Sequence, residues 1–247
     1  ACGDAIKGAN AFPEAIPKST IEPAMTNVAV DHGRFEIPQE NEVLEIQVPG
    51  ELAIVDRWKY GRLIIDAAKD AGANFEFDTV VQDVIQENGH ITGVTATTRG
   101  EPRTFEAGVV IDAGGTLSIV QEQADLEDAT FDTNVNYRQF TSAYREIVDV
   151  PEPVPWDDAL VFKPTERAAG YLWYFPRTKT KINVGLGFQM TAEPIELVRA
   201  LKQDLQQRPE FAGAVVKDKL GAALPTRRPY DSAVADGFLA AGDAAGH

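Results

Sequence analysis

An α/β domain interrupted by an inserted β-rich domain is what this 247-residue sequence predicts, a mixed α/β (α+β) class. Three observations carry that reading. A capped helical pattern runs from Asp56 to Gly72, among runs of strand character. From Asn134 to Phe188 the signals are almost all of antiparallel strands. The last stretch, D-G-F-L-A-A-G-D-A-A-G-H, then reads as a strand of the first layer again.

Taken in order, Ala1 to Pro23 reads as irregular and opens on C-G-D-A-I. Between Thr26 and Val48, N-V-A-V-D and E-V-L-E-I-Q-V alternate apolar and polar residues, which predicts antiparallel strands around a turn H-G-R-F-E-I-P-Q-E-N, with His32 at the surface. In the helix, Leu63, Ile64, Ala67, Ala68 and Ala71 share one face. Asp56 suits its N-cap and Gly72 its C-terminal cap. Arg57 falls at the helix entry, where a cation gains nothing from the dipole and calls for an anionic or polar partner. Asn74 to Phe105 predicts a strand and then a hairpin turning at Asn88-Gly89, with a further turn at R-G-E-P. V-V-I-D-A-G-G predicts a short buried strand running into Gly114 and Gly115, a weak ligand-approach signal. E-P-I-E-L-V-R-A-L-K-Q-D-L, near Glu193 to Leu205, predicts a helix with proline in its first turn.

Between these lies G-Y-L-W-Y-F-P-R-T-K-T-K-I-N-V-G-L-G-F, Gly170 to Phe188, read as a hairpin. Tyr171, Trp173 and Phe175 alternate onto one face, and Pro176 is expected to end the strand. Arg177, Lys179 and Lys181 crowd the turn. Gly185 and Gly187 leave backbone bare for something to approach. An aromatic wall beside a stripped backbone fits a pocket for a flat or greasy ligand; it also fits a hairpin packing its rings into an ordinary core.

The totals narrow the classes. A net charge of -15 argues against nucleic acid as a partner. Acid spread along the chain suits either a salt-loving cytoplasm or an ordinary acidic protein. One cysteine, Cys2, excludes an internal disulfide framework and a cysteine-based zinc site. No apolar run is long enough to span a bilayer, and no signal peptide is visible.

Four stretches, C-G-D-A-I, V-D-R-W-K-Y-G-R-L, V-V-I-D-A-G-G-T-L-S and D-G-F-L-A-A-G-D-A-A-G, join Y-L-W-Y-F-P-R-T-K-T-K-I-N-V-G-L-G in resembling the geranylgeranyl reductase family of flavoproteins. The resemblance implies a glutathione-reductase-type FAD domain (1–25, 51–125 and 218–247) with an inserted antiparallel substrate sheet (26–50 and 126–217). It implies FAD contacts at Gly3, Asp4, Arg57, Gly115, Gly242, Asp243 and Ala244. Tyr171, Trp173, Phe175, Pro176, Gly185 and Gly187 would line the isoprenoid tunnel, and Cys2 or a tyrosine hydroxyl would relay the proton. Gly114 stands where the family carries an acid. The family's G-x-G-x-x-G loop would precede Ala1 and further helices would follow His247, so a piece of a longer, haloarchaeal protein is expected, binding FAD poorly by itself.

The activity so implied is reduction of carbon–carbon double bonds in geranylgeranyl chains of membrane lipids. Its partners would be an isoprenoid lipid, an electron donor such as ferredoxin or NAD(P)H, and the inner face of the membrane by peripheral, hydrophobic contact from the cytoplasm. A flavin monooxygenase or halogenase on the same scaffold, and a flavin-free β-rich binding module, are the alternatives.

Overall fold

The helix read most directly from sequence sets the frame. In a computed structural model, which describes residues 3–7, 16–48, 52–118, 136–165, 168–193, 195–229 and 232–246, helix α2 spans Arg57–Asp70. The Asp56 carboxylate accepts from the Lys59 N–H at 3.1 Å and caps its start. At its end Gly72 takes φ +97°, and the N–H groups of Gly72 and Ala73 return to Lys69 and Ala68. That pair of bonds is a Schellman closure, which a left-handed glycine permits. A shorter helix, α1, spans Lys18–Ile21, and α3 spans Leu197–Leu205.

The chain divides into two compact units, 1–73 with 142–222 and 74–141 with 223–247. Residues 1–25 and 51–73, assigned from sequence to the FAD domain, thus cluster with the sheet that carries the aromatic hairpin.

In the first unit, β1 (Ala5–Lys7), β5 (Leu52–Val55) and β2 (Met25–Asn27) form a small sheet in that order. The large sheet has seven strands. Its order is β14 (Val215–Pro225), β10 (Phe140–Asp149), β13 (Lys181–Gln189), β12 (Gly170–Thr178), β11 (Ala159–Pro164), β3 (His32–Ile37) and β4 (Glu42–Gln47). H-G-R-F-E-I is therefore strand rather than turn, and only Pro38 to Asn41 turn the chain. His32, with 14% of its side chain exposed and its ring 2.6 Å from Asp31, is no surface histidine. β3 pairs with β11 in parallel, the other registered neighbours in antiparallel.

Period-two alternation gives the β12–β13 hairpin two faces. Leu172, Tyr174, Ile182, Val184, Leu186 and Phe188 point to one side and make the main core with Val148, Val161, Trp156 and Phe211. Helix α3 closes that side with Leu201, fully buried, and with Leu197 and Leu205 one turn away on either side. Burying one such leucine contributes about 2 kcal/mol. The helix starts later than the sequence suggests, with Glu196 at its N-cap; Pro194 lies outside the described residues.

The second unit holds a meander and a parallel pair. β6 (Thr79–Glu87), β7 (His90–Thr98) and β8 (Glu101–Glu106) turn at Asn88-Gly89 and Arg99-Gly100. All four turn residues have positive φ, which matches the twist of a tight hairpin. The expected strand at Asn74 to Phe77 does not form. β9 (Val110–Asp112) runs parallel to β16 (Phe238–Ala240), and β15 (Val234–Ala235) flanks β16. Phe238 and Ile91 form this unit's core. Val234, Leu239 and Ile111 lie in register across the other, exposed face, so β9 is not the buried strand its composition predicts.

Candidate functional site

The aromatic hairpin places its rings as the alternation requires, and adds to them. Phe162, paired with Trp173 across the β11–β12 ladder, meets Tyr171 and Phe175 edge-on with centroids 5.5 and 5.1 Å apart. Phe35 stacks on Phe162 at 4.9 Å from the next strand. Tyr171 to Trp173 and Trp173 to Phe175 are 6.1 and 6.4 Å. Such edge-to-face pairs contribute about 1 kcal/mol each beyond area. Trp173 and Phe175 are buried, and Tyr171 is 45% exposed. Of the predicted ligand-facing rings, Tyr171 alone is half open to solvent.

Gly185 stands opposite Trp173, and Gly187 opposite Tyr171. A Cβ on Gly185 would come within 2.3 Å of the Trp173 ring and 2.6 Å of the Tyr144 carbonyl. The bare backbone there is thus occupied by the chain's own indole. Pro176 does not end the strand: β12 continues to Thr178, with a bulge between Pro176 and Thr178. A bulge is how a ladder tolerates a residue with no N–H. The cations of the turn are each paired, Arg177 with Asp4 and Asp56, Lys179 with Asp157, and Lys181 with Asp149. No basic patch results from them.

The C-G-D loop lies against this wall. A Cβ on Gly3 would fall 2.3 Å from the Phe175 ring, so only glycine fits there. Asp4 is fully buried with φ +68°, a conformation aspartate tolerates better than most residues. Its Oδ2 accepts from Arg177 Nε at 2.8 Å, Arg177 Nη2 at 2.6 Å and Asn183 Nδ2 at 2.7 Å. Asn183 Oδ1 in turn accepts from the Trp173 indole N–H at 2.9 Å. Arg177 Nη1 reaches Asp56 Oδ2 at 3.4 Å, which ties the network to the cap of α2. Arg57 donates to the Ala5 carbonyl at 3.3 Å and lies 5.6 Å over the Tyr60 ring, while its buried Nε has no hydrogen-bond partner among the described residues. Cys2 lies outside the described residues.

Sequence reading singled out Asp4 and missed its partners. The signal was present for Asn183, a polar residue inside the apolar run I-N-V-G-L-G, since a buried amide must find partners.

In the second unit the carboxyl ends of β9 and β16 lie side by side, the end of a parallel sheet where ligands bind in open α/β folds. Asp112 is buried, and one oxygen accepts from the Gly114 N–H at 2.9 Å while the other takes the Ser118 hydroxyl. The loop is therefore shaped from within by Asp112. A Cβ at Gly114 would already sit 3.1 Å from that carboxylate, so a second acid there would crowd it, a physical reason for the glycine. Gly115 at φ +81° and Gly242 at φ +62° both have open space where a Cβ would be. Thr116 donates to Asp243 Oδ2 at 3.3 Å, and Asp243 is otherwise turned to solvent while Ala244 is buried. Residues Gly242–Ala245 form a 3-10 turn. Open glycines around an exposed carboxylate leave room for a ligand rich in hydroxyl donors.

Among the described residues no cluster of three or more His, Cys, Asp or Glu could hold a metal ion, and no helix is long and apolar enough to cross a membrane.

The fold is one shared with solved reductase-like and flavin-dependent halogenase chains. A geranylgeranyl bacteriochlorophyll reductase-like protein of Thermoplasma acidophilum superposes with a TM-score of 0.84 at 22% identity, over 99% of this chain and 61% of that one. A variant of a flavin-dependent brominase superposes with a TM-score of 0.75 at 14% identity, over 99% and 64%. At these identities the likeness is one of fold. Sequence goes further. Residues 158–221, which include the aromatic hairpin, match the geranylgeranyl reductase catalytic domain. A digeranylgeranylglycerophospholipid reductase of Methanothrix thermoacetophila is 29% identical over 98% of this chain and 62% of its own length. One of Sulfolobus acidocaldarius is 30% identical over 74% of this chain and 42% of its own length. The chain belongs to the geranylgeranyl reductase family, and spans 42–62% of the length of these two relatives.

Proposed function

We propose that the chain is part of an FAD-dependent reductase of carbon–carbon double bonds in the geranylgeranyl chains of membrane lipids or their precursors. The observation that carries this is the wall of stacked rings ending in the half-exposed Tyr171, inside the stretch that matches the family's catalytic domain.

Each unit supplies its own share. In the second unit Gly115 and Gly242 leave room for the cofactor's phosphate and ribityl parts, Asp243 accepts from its hydroxyls, and Ala244 continues the turn beneath them. In the first unit Tyr171 offers a ring face to an isoprenoid chain. Trp173 and Phe175 fix that ring from behind, and Gly185 and Gly187 let the rings sit close to the backbone; Pro176, expected from sequence to line the tunnel, is in register with Ile182 of the core face. Bound and reduced, the flavin supplies the hydride equivalent that an isolated alkene requires. The residues supply orientation, exclusion of water and, at Tyr171, a π-face that stabilises positive charge developing on the substrate. Cys2, next to Gly3 in the chain, keeps the role of proton relay. Gly3, Asp4 and Arg57, expected from sequence to touch the cofactor, are treated differently: Gly3 and Asp4 serve the wall, and Arg57 retains one buried N–H for a ligand. A net charge of -15 favours hydrophobic rather than charged access to an anionic membrane surface, and ferredoxin or NAD(P)H serves as donor.

The test is an absorption spectrum of the full-length protein purified in high salt. Flavin bands that bleach on reduction and recover on adding a geranylgeranyl lipid support the reading. Recovery with oxygen alone supports the monooxygenase or halogenase instead, and a folded colourless protein sinks both. Asp243→Ala is expected to lower retained flavin about tenfold, given the loss of a charge-assisted hydrogen bond.

A further inference from the structure

The buried polar network under the aromatic wall has no counterpart in the proposed chemistry, and its wiring points to a purpose. The Trp173 indole lies over Gly185 and has a hydrogen bond at its nitrogen to Asn183 Oδ1, 2.9 Å away. An amide can flip, and flipping would set an N–H against the indole N–H. What prevents this is on the amide's other end. An ionised carboxylate only accepts, so Asp4 Oδ2, 2.7 Å from Asn183 Nδ2, admits one orientation of the amide. Arg177 Nε and Nη2 both donate to the same oxygen, so that oxygen acts as an acceptor and is held in place. Gly3 against Phe175 fixes the backbone that carries Asp4.

We infer that Asp4 and Asn183 are positioning residues: the Asp4–Asn183–Trp173 chain of hydrogen bonds sets the plane of the indole, and through it the seat that Tyr171 and Trp173 offer the isoprenoid chain. Through its Oδ2, Asp4 therefore acts toward substrate geometry. The inference rests on the reading of the wall as the isoprenoid site. Its consequence is specificity: a loose indole lets the chain settle in more than one register, so that reduction stops at partly saturated products.

The experiment compares Asn183→Leu, Trp173→Phe and the double variant in the full-length protein. Two readouts are taken. The first is the indole N–H resonance of Trp173, assigned by its absence in Trp173→Phe. In the parent it should exchange slowly with solvent; in Asn183→Leu it should shift and exchange at least about tenfold faster, as a donor without its buried acceptor does. The second is turnover and the ratio of partly to fully reduced lipid. Each single variant should lose on the order of tenfold in kcat, as misplaced reacting groups do, with flavin content unchanged. The double should be no worse than either single, because both cut one chain. An unmoved indole signal in Asn183→Leu, or losses that add in the double, overturns the inference. If the parent reduces no geranylgeranyl lipid, the proposed function fails while the indole resonance still decides whether Asn183 holds Trp173.

Discussion

The two faces of the β12–β13 hairpin are built on opposite plans. On the α3 side, Leu172 pairs with Leu186 and Tyr174 with Val184, and packing is apolar up to a charged rim where Arg208 stacks 3.9 Å over Tyr174 and Asp204 takes the Tyr174 hydroxyl. On the other side, rings rest on bare glycine and on a buried carboxylate, guanidinium and amide. The first plan makes stability, because hydrophobic burial is non-directional. The second costs desolvation of two charges and returns direction, because each hydrogen bond fixes an angle as well as a distance. A sheet that must both hold a fold and orient a substrate can assign one task to each face.

Breaking the comparison at its most costly point means removing Asp4. Asp4→Ala leaves Arg177 buried with, among the described residues, the 3.4 Å contact to Asp56. Cutting one partner from a buried pair costs about 4 kcal/mol. Urea unfolding should show that loss, and a loss under about 1 kcal/mol would mean the pair is solvated. On the α3 face the corresponding cut is Leu186→Ala. It should cost about 3 kcal/mol through a cavity, yet leave flavin content and the product ratio of the folded fraction unchanged. A changed product ratio would erase the division of labour between the faces.

How far these faces could be read in advance depends on the range of the interactions. Alternation of Tyr171, Trp173 and Phe175 gave one face directly, and Asp56 and Gly72 gave α2 its ends, because capping and pleating are local. The Asp4–Arg177 bond joins residues 173 apart in sequence, and no local pattern encodes it. The same holds for β3 beside β11 in parallel; His32-Gly33 looks like a turn until a distant strand completes its ladder. β1, three residues long, carries too few alternations to be seen. In the candidate sites, the rings and glycines were legible by type. What Asn183, Arg177 and Asp112 do to orient them became visible only with their partners.

A milder test addresses the rim of the wall. Tyr171 is half exposed, so Tyr171→Ala should cost no more than about 1 kcal/mol of stability. The KM for a geranylgeranyl lipid should nevertheless rise several-fold, about what one aromatic contact is worth. A large stability loss with unchanged KM would return the wall to the role of ordinary core.

The smallest expected effect sharpens the comparison within the aromatic side itself, where a second buried arginine has an open partner. Arg145 alternates with Tyr144, Glu146 and Val148 of the core face, and pairs at 2.8 Å with Asp218, whose side chain is 43% exposed. Hydrogen bonding to Arg145 holds the Asp218 carboxyl below its ordinary value of 3.8, against the opposing effect of burial. A carboxylate with a lowered folded value stabilises the fold above the unfolded value, and the contribution fades as pH falls through the folded one. Asp218→Asn should therefore cost less than about 1 kcal/mol near neutrality, since water screens the pair. The difference from the parent should close as the pH falls below 3.8 and through the lowered folded value of Asp218. Equal acid profiles for parent and variant would show that Arg145 draws nothing from Asp218. A loss rivalling that of Asp4→Ala would show instead that exposure of one partner does not separate the two arginines, and that the direction found in the Asp4 network has another source.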